Sequence, residues 1–177
     1  MHNQETASEN EFYLKGSGEL KDKLESLGVD FGDWKGTGFR STASVAHEIQ
    51  RCNDLLLVHN TFSEAQDIDW VLNYTDRSWW CTCPKANLYI EDRIPDYRFW
   101  LEKGLRIVVG TDSLASNNRL SIVDELNTIK MNAPFLEMEE LLKWATINGA
   151  DLFGKKNLGR FETVSYTHLT LPTILLV

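Results

Sequence analysis

Cysteine is scarce. There are three in 177 residues, and Cys81 and Cys83 stand only two apart. That number builds no disulfide framework, and the spacing is not the C-x-x-C of a zinc knuckle. A reduced, cytoplasmic protein is the expectation. No apolar run approaches the roughly 20 residues that cross a bilayer. The first residues, Met1-His2-Asn3-Gln4-Glu5, place no basic region before an apolar stretch, so no secretory leader is expected there. Positive charge is in deficit: 18 Lys and Arg face 26 Asp and Glu, a net charge of −8. So acidic a surface repels phosphate, which argues against general nucleic-acid or anionic-membrane binding. Gly16-Ser17-Gly18 lacks the strand and the Lys-Ser/Thr of a phosphate loop. Internal repeats and low-complexity linkers are absent too.

What remains fits one globular domain or a piece of a larger one, 42% apolar and 25% charged. Short apolar runs alternate with amphipathic stretches. Leu55-Leu56-Leu57-Val58 ends in His59-Asn60, Trp79-Trp80-Cys81-Thr82-Cys83 ends in Pro84, and Arg106-Ile107-Val108-Val109 ends in Gly110-Thr111-Asp112. Such runs suit strands buried on both faces, as parallel strands are. Helices are expected at Glu9 to Leu14, Leu20 to Leu27, Ser44 to Arg51, Ser63 to Tyr74, Pro95 to Lys103, Ser121 to Lys130 and Glu137 to Asn148. Ser63 with Gln66 reads as a capping box. Pro95 and Gly104 bracket their helix in the usual asymmetry. The order gives βαβ units, an α/β fold with a parallel sheet. In such sheets the chemistry sits at the C-terminal edge.

His59 and Asp112 each follow a strand, and His2 precedes Glu5 by three residues. Imidazole and carboxylate groups at neighbouring strand ends can converge on one zinc- or iron-sized ion. Taken singly, each has a plain structural reading: a strand terminus, an Asx turn or helix cap, a solvated acid. His47 reads as structural and Cys83 as a small core residue. Val164 to Val177 is uncharged and rich in β-branched residues. It resembles a translated sequencing-adaptor read-through, and His168 goes with it.

Together the blocks are more specific. His2-Asn3-Gln4-Glu5-Thr6 with Glu9, Leu57-Val58-His59-Asn60, Cys83-Pro84-Lys85-Ala86-Asn87 and Gly110-Thr111-Asp112-Ser113-Leu114-Ala115-Ser116-Asn117 resemble the amidohydrolase superfamily. The likeness is to its cytosine deaminase, S-adenosylhomocysteine deaminase and chlorohydrolase branch. It implies a metal-dependent (β/α)₈ TIM-type barrel, of which residues 1–162 would be the C-terminal half, about four parallel strands with helices, and 163–177 a non-native-looking tail. It also implies roles: His2 and Asp112 as metal ligands, Glu5 as proton shuttle, His59 as a hydrogen-bond donor to the reacting centre, Asp112 as general base. Asn87, Ser113 and Asn117 would shape the pocket for a small N-heterocyclic substrate. One divalent ion is expected, zinc first and iron second.

The departures are as informative. The family's first strand supplies a His-x-His pair, and nothing here matches it. Strands one to four and the flanking β-sandwich also lack counterparts. The reading is therefore a fragment of a hydrolase of non-peptide C–N bonds, inactive by itself, from a parent that could be a homo-oligomer. A cyclic-amide or chlorinated-ring hydrolase is the alternative within the family, and a non-catalytic α/β interaction module the alternative outside it. The H-x-E…P-C-x-x-C pattern of the other zinc deaminases is missing.

Overall fold

The computed structural model describes residues 1–46, 54–75 and 77–161. Four strands, β1 His2–Asn3, β2 Leu55–His59, β3 Ser78–Thr82 and β4 Arg106–Val109, form one parallel sheet in sequential order. The register pairs Asn3 with His59, Val58 with Cys81, and Thr82 with Val109. Sequential parallel order requires a crossover between each pair of strands, and helices supply it.

Strand alternation sorts the apolar residues onto two faces. Leu55, Leu57, Trp80 and Ile107 enter the main core beneath the helices. Trp79, Cys81 and Val108 enter a second, smaller cluster, with Leu56 and Val58 packed against it. Every residue of β3 is buried, as a central parallel strand requires.

The helices are α1 Ala7–Lys15, α2 Glu19–Ser26, α3 Ser41–Ala46, α4 Ala65–Tyr74, α5 Pro84–Glu91, α6 Tyr97–Glu102, α7 Ile122–Asn132, α8 Met138–Ala145 and α9 Ile147–Leu152. Several depart from the sequence expectation. Thr6 caps α1 through Glu9 N, so that helix starts before Glu9. The third helix begins at Ser41 rather than Ser44. The rest of the expected stretch, with His47 and Cys52, lies outside the described residues, as do Val164 to Val177 and His168. The capping box of α4 is Glu64 with Asp67, one residue beyond Ser63 and Gln66. Asp67 is already engaged by Arg40 at 2.9 Å, and that ion pair draws the cap to Glu64. Asp96 caps α6 through Phe99 N at 3.1 Å, which moves its start past Pro95.

Two differences are larger. The Pro84 that reads as the end of a strand also opens α5, a helix the apolar pattern does not announce. The single helix expected over 137–148 is broken at Thr146 (φ −129, ψ −82) into α8 and α9. The break lets Asn148 Nδ2 donate to Ile107 O of β4 at 2.7 Å.

The centre of the main core is aromatic. Trp80, Tyr97, Trp100 and Trp144 are all but fully buried. Tyr97 and Trp100 meet edge to face at 5.8 Å. The Tyr97 hydroxyl shares a 2.7 Å hydrogen bond with Thr82. No helix among the described residues is long and apolar enough to cross a membrane.

Replacing Trp100 by Ala empties the middle of this cluster and is expected to cost about 3–5 kcal/mol. Leu114→Ala, at an exposed position, should stay within about 0.5 kcal/mol. Urea unfolding of the two variants measures both.

Candidate metal centre

Each candidate ligand is placed by the sheet. His59 ends β2, His2 opens the two-residue β1 opposite Val58, and Asp112 lies in the loop that follows β4. One ligand atom from each of the three lies within 4.8 Å of the others. The His2 and His59 rings sit 5.3 Å apart, tilted by 34°. Two imidazoles and a carboxylate form a donor set that suits zinc, and also ferrous iron.

The backbone turns sharply to make this edge. Gln4 (φ 48), His59 (φ 73), Asn60 (φ 50) and Asp112 (φ 55) are all left-handed, four of the five such non-glycine residues among the described residues. A strained backbone of this kind costs about 1–3 kcal/mol per residue and collects at functional sites. Nothing in the residue pattern announces it, although Asn, Asp and His tolerate the region better than most. Val58 N donates to Met1 O and Asn60 N to Asn3 O, each at 2.9 Å, which carries the β1–β2 ladder into the turn.

His59 is 1% exposed, and its Nδ1 lies 2.8 Å from Asn87 Oδ1. An amide oxygen only accepts, so Nδ1 carries the proton and Nε2 faces the site. Nε2 stands 3.3 Å from Glu5 Oε1. Those two atoms attract only with a proton or a cation between them. Glu5 and His59 therefore meet, as the sequence pattern suggested, and Asn87 is behind them, buried.

Glu5 is itself held by a group the sequence reading did not assign. Glu9 accepts from Gln4 N at 2.9 Å and Glu5 N at 3.1 Å, and Ser41 Oγ donates to the same carboxylate. Asp112 accepts a hydrogen bond from Ser116 Oγ. Asn117 Nδ2 donates to Thr111 O at 2.9 Å and to Glu125 Oε1 at 2.6 Å. Ser113 is exposed and accepts from Ala115 N at 3.2 Å. A cavity of about 430 Å³ lies beside this loop, lined by Lys85, Tyr89 and residues 114–118. Ser116 thus joins the cavity wall to the Asp112 carboxylate.

Glu125 is fully buried and also accepts from Lys85 N at 3.0 Å. It ties α7 to the start of α5 and to the Asp112 loop. Burial pushes its carboxyl above the usual range, against the pull of its hydrogen bonds from Lys85 and Asn117. A buried glutamate inside an amphipathic helix gives no sequence signal.

Three polar groups beside the centre are buried without a hydrogen-bond partner among the described residues: Asn60 Nδ2, Thr61 Oγ1 and Asn87 Nδ2. Buried polar groups normally find partners.

Residues 31–170 match the model of the amidohydrolase family. This chain belongs to the amidohydrolase family. That family is metal-dependent, in keeping with the donor set. An adenosine deaminase of Helicobacter pylori is 32% identical over 105 residues, 58% of this chain and 26% of that protein. A 5-methylthioadenosine/S-adenosylhomocysteine deaminase of Pyrococcus horikoshii is 26% identical over 140 residues, 75% of this chain and 31% of that protein. The chain thus spans a third or less of these relatives. Among solved structures, Helicobacter pylori aminofutalosine deaminase matches with a TM-score of 0.77 at 24% identity, covering 94% of this chain and 41% of its own. An adenosine deaminase from Xanthomonas campestris with bound zinc matches at 0.67 and 22% identity, covering 91% and 34%. The α/β fold of successive parallel strands is theirs.

Glu125→Gln keeps the shape but turns an amide N–H₂ toward one of the two donors. It should cost about 1–3 kcal/mol. The folded wild-type chain binds the extra proton above the ordinary carboxylate range, so Glu125 makes stability fall as pH rises through that window. The gap between wild type and Glu125→Gln should therefore narrow with rising pH. Urea midpoints across that range test it, and a widening gap refutes it.

Proposed function

We propose that this chain carries part of a metal-dependent hydrolase centre that deaminates purine-like N-heterocycles by adding water at a ring carbon. The observation that carries the reading is the meeting of His2, His59 and Asp112 at one sheet edge, in a chain of the amidohydrolase family. Relatives named for adenosine and S-adenosylhomocysteine deamination support the substrate class. On this reading residues 1–162 are four successive βα units of the barrel, and 163–177 lie outside it.

His2 and Asp112 hold the ion, zinc before iron. Bound there, an ion would lower the pKa of water toward neutrality. Asp112, with one oxygen fixed by Ser116, takes the proton from the attacking water. Glu5 delivers a proton to the ring nitrogen. Asp112 passes the proton it took from water to the amino group, which leaves as ammonia, and the remaining hydroxyl proton returns to Glu5 as the carbonyl forms. His59 sits at the point of attack with its tautomer set by Asn87 and donates to the developing oxyanion by way of the proton it shares with Glu5. Asn87 Nδ2, buried and without a partner among the described residues, would be the donor offered to the heterocycle. Asn117 lines the pocket wall and anchors Thr111, and Ser113 stands exposed at its edge, outside the cavity lining.

The test is titration of the purified chain with cobalt(II) or zinc. One equivalent should bind, and His2→Ala or Asp112→Ala should abolish binding with the circular dichroism unchanged. No bound metal in the wild-type chain would sink the reading. Asn87→Ala frees the His59 ring and should still leave one equivalent of metal bound, because His2 and Asp112 hold the ion. With adenosine or S-adenosylhomocysteine and added zinc or iron, the chain by itself is expected to release no ammonia above background. Its ligand set lacks the His-x-His pair.

A further inference from the structure

The sheet also carries a pair of thiols that the proposed chemistry does not use. Cys81 on β3 and Cys83 just beyond it are both free and buried, 9% and 2% exposed. Cys83 is the N-cap of α5, one residue past β3, and both thiols belong to the smaller apolar cluster with Trp79, Ala86 and Val108. Gly110, next to them across the β3–β4 ladder, leaves them room. A Cβ at that position would lie 2.9 Å from Cys81 Sγ and 3.2 Å from Cys83 Sγ. Both sulfurs thus converge on one spot above the Gly110 backbone. The thiols hydrogen-bond each other, an interaction that pushes Cys83 up and pulls Cys81 down.

We propose that Cys81 and Cys83 form a bidentate dithiol site for a trivalent arsenical, separate from the His/Asp centre. Soft sulfur ligands select a soft, thiophilic centre, whereas the imidazole and carboxylate set does not. Two sulfurs close on one arsenic only when they already stand near each other, and their common approach to Gly110 provides that. Cys81, the more exposed of the two, reacts first and Cys83 closes the ring. With phenylarsine oxide the step balances without redox change. Two S–H bonds and the As–O double bond break, two As–S bonds form, and the oxygen leaves with both protons as water. Arsenic stays trivalent.

The test treats the whole chain with one equivalent of phenylarsine oxide, then with excess glutathione, and reads intact mass. A dithiol adduct survives a monothiol and is released by dithiothreitol. The wild-type chain and Cys52→Ser should each keep one phenylarsine group after glutathione. Cys81→Ser and Cys83→Ser should each lose it. Tryptic mapping of the wild-type adduct should place the group on the peptide 78–85, which decides the matter even if a variant misfolds. Stripping by glutathione, dependence on Cys52, or persistence in either single variant overturns the proposal. Each readout is independent of whether the chain binds zinc or deaminates anything.

Discussion

Asn3 lies beside His59 and Thr82 beside Val109, and these parallel registers decide where every candidate ligand stands. Parallel strands share a direction, so their C-terminal ends form one edge. Ligands carried at that edge by β1, β2 and the loop after β4 then reach one another without any long connection. Shifting one strand by a single residue would turn its side chains to the opposite face and scatter the cluster. The aromatic core under the sheet resists that slip, because Trp80 has one place to go between Trp100 and the neighbouring strands.

The edge is costly to build, and buried polar groups stabilise it. Left-handed turns at Gln4, His59, Asn60 and Asp112 depart from extended backbone just where the ligands begin. Two carboxylates hold the loops that contain them. Glu9 accepts the backbone N–H groups of Gln4 and Glu5, and Glu125 accepts from Lys85 and Asn117. Charge-assisted bonds of this kind are stronger than neutral ones, and in a buried setting they fix a loop more tightly than apolar contact does. Asn87 does the same for one ring, setting the His59 tautomer. The centre is thus oriented by residues standing behind the ones that would touch a substrate.

Much of the fold was legible because buried parallel strands are apolar on both faces. Leu55-Leu56-Leu57-Val58 and Arg106-Ile107-Val108-Val109 announce themselves in that way, and each ends in the residue that matters. Other elements were not legible. α5 opens at Pro84, directly after β3, and its few buried residues make no long amphipathic stripe. Thr146 divides α8 from α9 because Asn148 bonds to β4, a contact formed across the fold. Glu64 displaced Ser63 as cap because Arg40 holds Asp67. Each of these choices was made by a partner more than 20 residues away or by a neighbour's position, which a local pattern does not contain.

The residue order by itself determined the α/β class, the positions of His59 and Asp112 after their strands, and the resemblance that the family match agrees with. These depend on apolar periodicity and on short fixed spacings, both local properties of the chain. Only the tertiary structure decided that the three side chains meet, that Asn87 stands against His59, that Glu9 and Glu125 hold the loops, and that two sulfurs share the space left by Gly110. Those facts depend on which strands lie side by side and on where each backbone turns left-handed. Hydrogen bonds and packing between distant segments fix both at once.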